Sequence, residues 1–441
     1  MTKDKFNSKL REYAKTLSPK PNEQDLIGKI YQSFNDLFGV NNCIQIGSYP
    51  RFTSITPIHD LDILYILGSW DENNHTPSAT LQNLFNKINS SHVNPTNYTK
   101  KVSLQTHSVT VEFWQSSTMI LSVDIVPAYS YGKNEFNQDT YKVPEVIKER
   151  NHAKRNTLAW DASNSHSWIN SDPRGYIKVA TDVGVNTDFR KVVKFVKRWK
   201  NNLCDKDQNL KLKSFHLEQV VTKIFKQNQK IEIFDAIFTF FINLPTVINT
   251  PNQIQDRANS GKFIDDYLSK FTPEQKEKIK YARDGFLIRL ESLKDSDSID
   301  GLMKISFYKR FDSEEFLFDK SIPVLTDSVF NFKIDGFVKP LDGYTSGYIS
   351  QSTHLQNGLT RGQGKIRKIQ FSIQSNNTGA STTWWKVRNQ NGCGQERGEL
   401  TQNQTKNALE NTEYLGDHYV ECFAILNNVC IAKSKINITI I

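Results

Sequence analysis

Among its 441 residues the sequence has only five cysteines, and Cys43, Cys204, Cys393, Cys422 and Cys430 form no CxxC pair. Its nine histidines show no HExxH spacing and no His–Cys grouping, so neither a structural zinc site nor the usual zinc-hydrolase pattern is expected. The first residues, MTKDKFNSKLREYAK, contain no apolar signal core, and the cysteines are therefore expected to be reduced thiols of a cytoplasmic protein. Long hydrophobic runs are absent too: the nearest, Ile231 to Ile248, is interrupted by Glu232, Asp235 and Pro245, and a membrane helix needs about 18 uncharged apolar residues. The Arg361-Gly362-Gln363-Gly364-Lys365 segment lacks GxxxxGK spacing and reads as a hairpin turn. No internal repeat or low-complexity linker interrupts the chain.

What is present is enough for sizeable cores: 27 Phe, 16 Tyr and 7 Trp, which excludes wholesale disorder. Lys and Arg (56) outnumber Asp and Glu (47), a formal charge of +9 that favours polyanionic partners, nucleotides and nucleic acid among them. Phe6, Leu10, Tyr13 and Leu17, then Leu26, Ile30, Phe34 and Phe38, repeat at helical spacing on either side of Pro19 and Pro21. Strand-like runs follow at 43–46, 61–67, 109–113 and 120–126, and helical patterns return at 188–201, 214–228, 231–243 and 273–293. From about residue 330 the chain becomes rich in Gly, Asn, Thr and Ser, with strand-length apolar bursts at 366–373, 383–387, 418–426 and 429–440. The expected fold class is α+β, with residues 1–325 as a first domain (a lobe at 40–185 and a helical lobe at 186–325) and residues 331–441 as an all-β sandwich-like module. The join is placed between Ser321 and Lys333.

One stretch carries chemistry. Gly47 and Ser48 are followed by His59-Asp60-Leu61-Asp62-Ile63-Leu64. On a strand, Asp60 and Asp62 project from one face while Leu61 and Ile63 enter the core. Two such carboxylates repel unless a cation lies between them, and hard oxygen ligands suit Mg²⁺. Gly47 lets backbone N–H groups approach a phosphate, and the Ser48 hydroxyl can add a further bond. Asp124, in Leu121-Ser122-Val123-Asp124-Ile125-Val126-Pro127, is a third carboxylate on an apolar strand, where it would be costly unpaired. Three convergent carboxylates can hold two Mg²⁺ ions for nucleotidyl transfer, one ion activating a hydroxyl and the other neutralising a triphosphate.

This Gly-Ser, Asp-x-Asp and downstream Asp order resembles the nucleotidyltransferase superfamily of DNA polymerase β, and within it the oligoadenylate synthetase and cGAS-like branch of bacterial CD-NTases. Trp168-Ile169-Asn170-Ser171-Asp172-Pro173-Arg174-Gly175, the lysine-bearing run from Phe189 to Lys200, and Lys213-Ser214-Phe215-His216-Leu217-Glu218 resemble further segments of that branch, so the likeness spans residues 5–295. The resemblance implies a polymerase-β-like core, with Asp60, Asp62 and Asp124 as catalytic metal ligands for Mg²⁺ or Mn²⁺. It implies nucleotide contacts from Gly47, Ser48, Arg51, Lys197 and Ser214, and base stacking on Phe215. Lys194 is the alternative to Lys197 if the helix is rotated, and Phe215 can equally be a core residue.

The C-terminal run around Thr383-Trp384-Trp385-Lys386-Val387-Arg388, Arg397-Gly398-Glu399-Leu400 and Tyr414–Cys422 resembles the adenylyl/guanylyl cyclase and SMODS C-terminal sensor domain. Trp384, Trp385, Arg388 and Arg397 could stack on and pair with an anionic aromatic ligand, although aromatic core positions are equally expected. Together these resemblances imply a cytoplasmic synthase of cyclic di- or oligonucleotides that serves bacterial antiphage defence of the CBASS type. Its substrates would be NTPs, ATP among them, and a separate effector would respond to the product. The alternatives are a nucleotidyltransferase acting on RNA ends or on a protein, and a nucleotide or polyanion sensor with an inactive lobe.

Overall fold

Two helices open the chain. The first, α1 (Lys3–Thr16), is followed by α2 (Pro21–Phe38), whose start is set by Pro21 and by a Glu23 carboxylate that accepts the Lys20 N–H at 2.6 Å. The α2 helix ends at Gly39, whose φ of 87° suits a residue without a Cβ. Its apolar stripe, Ile27, Ile30, Phe34 and Phe38, lies on one face of a mixed sheet.

That sheet contains β1 (Cys43–Ile46), β2 (Asp60–Ser69), β3 (Thr99–Leu104), β4 (Val109–Gln115), β5 (Thr118–Lys133), β6 (Asp139–Ile147) and β7 (Ser165–Ser171). The order is β1-β2-β5-β4-β3, with β6 pairing with β5 and β7 with β6. Among the described residues of this sheet, only β2 and β5 run parallel, and the other pairs are antiparallel. Helix α3 (Pro77–Ser91) adds Leu81, Leu84 and Ile88 to the same core as Leu61, Ile63, Val111, Val123 and Ile125. Each such side chain, fully buried, contributes about 1.5–3 kcal/mol of transfer free energy. The alternate residues of β1, β2 and β5 face the other way, where Ile46, Leu64, Ile66 and Val126 form a smaller cluster beside the carboxylates.

Helices α4 (Pro173–Val183), α5 (Asp188–Lys206), α6 (Ser214–Gln227) and α7 (Ile233–Asn249) follow, then a hairpin of β8 (Gln255–Asp256) and β9 (Asn259–Phe263). The remainder is α8 (Pro273–Ser292) and a two-sheet sandwich. One sheet pairs β10 (Phe332–Val338) with β11 (Gly347–Tyr348) and β12 (Lys368–Asn376), and β12 with β15 (Leu409–Asn411). The other has the order β14-β13-β16-β17, with β13 (Thr382–Arg388), β14 (Arg397–Gln402), β16 (Gly416–Leu426) and β17 (Val429–Ile440).

The computed structural model describes residues 1–147, 165–311, 313–360, 366–402 and 409–441. The turn expected at 361–365 lies outside them. The chain divides into one unit of residues 11–237 and 246–271 and another of residues 1–10, 238–245 and 272–441. The expected α+β class and C-terminal sandwich are what is found. Residues before 331 are woven into the second unit. Glu315 donates its N–H to Gly398 and accepts the Leu400 N–H, Val324 bridges Cys430, and Phe241 stacks on Phe286 at 3.9 Å.

The segments α3, β3, β6 and β7 lie outside the runs expected from the sequence. The Leu81, Leu84, Ile88 spacing and Pro77 at the helix start were visible signals for α3.

Candidate active site

The carboxylates owe their placement to strand register. Asp62 on β2 is the direct partner of Asp124 on β5, and Asp60 lies two residues before Asp62 on the same face. On its other side Asp62 pairs with Ile46, the last residue of β1, so the chain turns at Gly47 directly beside it. Gly47 has φ +75°, and a Cβ built there would lie 1.8 Å from Asp62 Oδ2. Any side chain at 47 would evict the Asp62 carboxylate.

Asp62 is crowded by charge. Burial first, then the charges of Asp60 and Asp124, push its carboxyl up to about 7, against the opposing pull of Arg51 and Lys197. Asp124 is raised as well, chiefly by burial, while a hydrogen bond from the Thr110 hydroxyl opposes the rise. Among the described residues no three of His, Cys, Asp and Glu close into a metal-binding cluster. Mg²⁺ does not require one, because it keeps waters and substrate oxygens alongside one or two carboxylates. Adjacent-strand carboxylates with raised pKa values are an oxygen donor set short of positive charge, and they fit such an ion.

A cleft of about 610 Å³ opens on Asp60 and Asp62. Its lining includes Gly47, Ser48, Arg51, Lys197, Ser214 and Phe215, so these expected site residues converge although they span nearly 170 positions of the chain. Asp124 lies beside Asp62 on the neighbouring strand and is not part of the lining. Ser214 and Phe215 begin α6, which puts the positive end of a helix on the cleft.

The cations divide into two kinds. Lys197 is buried, and its three N–H groups are matched by three acceptors: Glu218 Oε2 at 2.7 Å, and Thr53 O and Oγ1 at 3.1 Å each. Arg51 donates to the same Glu218 at 2.6 and 3.3 Å, and Thr53 Oγ1 donates to it at 3.0 Å. Burial alone would raise Glu218, yet Lys197 and Arg51 more than offset it and hold its carboxyl at about 2. Burial pulls Lys197 below the usual lysine range, which Glu218 opposes in part. Lys197 therefore braces the Gly47–Thr53 loop and has no N–H to spare for a phosphate. Lys194, the alternative, donates to Ser18 Oγ at 2.8 Å and does not line the cleft.

One turn beyond Lys197, Lys200 does line it, and among the described residues its ammonium donates only to Asn201 Oδ1, at 3.4 Å. Sequence reasoning missed both Lys200 and Glu218. The signal for Glu218 was an acid on the helix that carries the buried Leu217, Val220, Val221 and Ile224.

The four C-terminal residues considered for a ligand do not assemble into one patch. Trp385 is in the sandwich core, whereas Trp384 packs against a different cluster. Arg388 is buried over Phe311 at 4.3 Å with Glu314 at 3.9 Å, and Arg397 is paired with Glu410 at 2.6 Å. No helix among the described residues is long and apolar enough to cross a membrane.

Residues 313–441 match the family model of the Adenylyl/Guanylyl and SMODS C-terminal sensor domain, which begins where the extra residues of the second unit join the sandwich. No curated protein matches the sequence. Among solved structures, the chain is similar to Escherichia coli MS115-1 CdnC in its HORMA-deltaN complex, with 16% identity and a TM-score of 0.48 over 70% of this chain and 99% of that one. It is similar to the Rhodothermus marinus CdnE c-UMP-AMP synthase with 12% identity and a TM-score of 0.40, over 64% of this chain and 96% of that one. For the Vibrio cholerae DncV cyclic AMP-GMP synthase the values are 13% and 0.38, over 61% and 72%.

Proposed function

We propose that this chain is a nucleotidyltransferase that joins nucleoside triphosphates into a cyclic di- or oligonucleotide. The observation that carries the reading is the pairing of Asp62 with Asp124 across parallel strands, with Asp60 on the same face, opposite a cleft wall of cations and a helix N-terminus. That is the arrangement a polyphosphate and an attacking hydroxyl require. Asp60, Asp62 and Asp124 would hold Mg²⁺, which supplies charge neutralisation at the phosphates and lowers the pKa of the hydroxyl.

The chain's own groups do the rest. The Gly47–Ser48 turn, Ser214 at the α6 N-terminus, Lys200 and the outer edge of Arg51 orient the triphosphate. The Glu218–Lys197–Thr53 brace holds that turn in place. Asp124, its pKa already raised, accepts the ribose hydroxyl proton. The hydroxyl oxygen forms a bond to the α-phosphorus as the bond to the bridging oxygen breaks, and pyrophosphate leaves. A second such transfer closes the ring.

The match of residues 313–441 to a sensor-domain family supports regulation of this synthesis by a ligand of the C-terminal unit, in a cytoplasmic antiphage signalling role with a separate effector. The test is incubation of the purified protein with labelled NTPs, singly and mixed, with Mg²⁺ or Mn²⁺, followed by phosphatase and mass spectrometry. A phosphatase-resistant product that disappears in Asp60→Ala/Asp62→Ala is expected. Product formation that survives in that variant would refute the mechanism.

A further inference from the structure

We propose that Asp256 reads the nucleotide base and that the aromatic end of the cleft takes guanine. The inference rests on the reading that the cleft holds a nucleoside triphosphate. Away from the carboxylates, the cleft is lined by Phe215 and by Tyr176 of α4, whose rings meet edge to face at 4.9 Å and 82°. Such a pair offers π surface to a base and leaves base choice to the polar groups at its rim.

Two acids border that rim, Asp172 and Asp256. Asp172 is 1% exposed and fully engaged: Oδ1 accepts the Gly175 N–H at 2.7 Å, and Oδ2 accepts Asn134 Nδ2 at 2.7 Å and Arg257 Nε at 3.0 Å. It caps α4 and ties the helix to the hairpin. Asp256 differs. Its Oδ1 accepts the Ala258 N–H at 2.8 Å and the Tyr176 hydroxyl at 3.4 Å, whereas no hydrogen bond from the described residues falls on Oδ2. The Tyr176 oxygen in turn accepts the Arg257 N–H at 3.1 Å, so the hairpin and the aromatic wall are fixed to each other through this acid. Asp256 is half-buried and lines the cleft, and its Oδ2 has two lone pairs to offer.

A carboxylate oxygen accepts and cannot donate, so it selects the base edge that presents adjacent donors. Guanine alone does so, through N1–H and the 2-amino group. Adenine and cytosine set one amino group beside an acceptor nitrogen, and uracil flanks its single N–H with two carbonyls. An acceptor turned toward Oδ2 would be repelled and left unpaired, a cost of about 1–3 kcal/mol.

The measurement is calorimetric binding of GTP, ITP, ATP and UTP, with tripolyphosphate as the base-free control, to the full chain and to Asp256→Asn and Asp256→Ala. Asparagine keeps an acceptor for Ala258 and Tyr176 and exchanges only the free oxygen for a donor. The wild type is expected to bind GTP about tenfold or more tightly than UTP, with ITP, which lacks the 2-amino group, weakened relative to GTP. Both variants are expected to lose the GTP advantage to within about twofold while tripolyphosphate affinity is unchanged. Equal binding of the four nucleotides by the wild type, or a GTP preference that survives both substitutions, would overturn the base assignment alone. Failure of every triphosphate to bind would overturn the nucleotide reading and the assignment with it.

Discussion

Glu218 provides the sharpest test of how the active-site loop is held. Its side chain is 1% exposed and receives four hydrogen bonds, two from Arg51, one from Lys197 and one from Thr53. Removing this acid by Glu218→Ala leaves two cations facing each other out of water, and breaking a buried pair by deleting one partner costs about 3–5 kcal/mol. The depressed acidity gives a consistent scale, since a fall from 4.5 to about 2 corresponds to about 3 kcal/mol. Because the folded-state pKa lies below the unfolded value, this stabilisation is complete above pH 4.5 and is lost as the pH falls toward 2.

Urea unfolding at pH 7, followed by circular dichroism and by hydrogen exchange of α5 and α6 amides, should show the loss in the cleft unit. Its acid limb should be flatter in the variant than in the wild type. Lys197→Ala/Glu218→Ala should cost less than the sum of the single changes by at least about 1 kcal/mol. A loss below about 1 kcal/mol, or strict additivity, would show that the network does not brace the loop.

Three further outcomes follow from the site. Gly47→Ala should abolish nucleotide joining, read as product formed per hour, because its Cβ would displace the Asp62 carboxylate. Lys200→Ala should raise KM for the triphosphate about tenfold with little change in melting temperature, whereas Lys197→Ala should lower the melting temperature as well; identical behaviour of the two would contradict the division drawn between them. The carboxyl of Asp62 is raised to about 7 from 3.8, so without metal its contribution to stability is full below pH 3.8 and lost as the pH rises through 7. Mg²⁺ or Mn²⁺ competes with that proton, and the metal-induced rise in melting temperature should therefore be larger at pH 8 than at pH 6, a comparison thermal shift can make directly.

Much of the site was legible because it is local. Gly47, Ser48, Asp60 and Asp62 lie within 16 positions, and strand alternation alone puts both acids on one face. Asp124 was legible as an acid with no place on an apolar strand. Glu218 was not, since its role depends on partners 21 and 167 residues away, and Lys197 carried the same ambiguity as any lysine on a basic stripe until that acid was placed. Asp256 was hidden for another reason: a hairpin of a few residues has no periodicity to announce it. In the C-terminal unit, alternation assigned the strands but not which face of β13 each tryptophan would take.

The position of β5 has a consequence for how the chain tolerates change in length. It is held on one edge by parallel pairing with β2 and on the other by antiparallel pairing with β4, which leaves Asp124 beside both Asp62 and Thr110. A residue added at the tight turn between Gln115 and Thr118 changes only a hairpin tip. One deleted between Leu121 and Val123 would rotate Asp124 into the hydrophobic layer and turn Val123 or Ile125 toward the cleft. Two borders thus gauge the same strand, and permissible insertions and deletions should fall at its ends and leave its interior at fixed length.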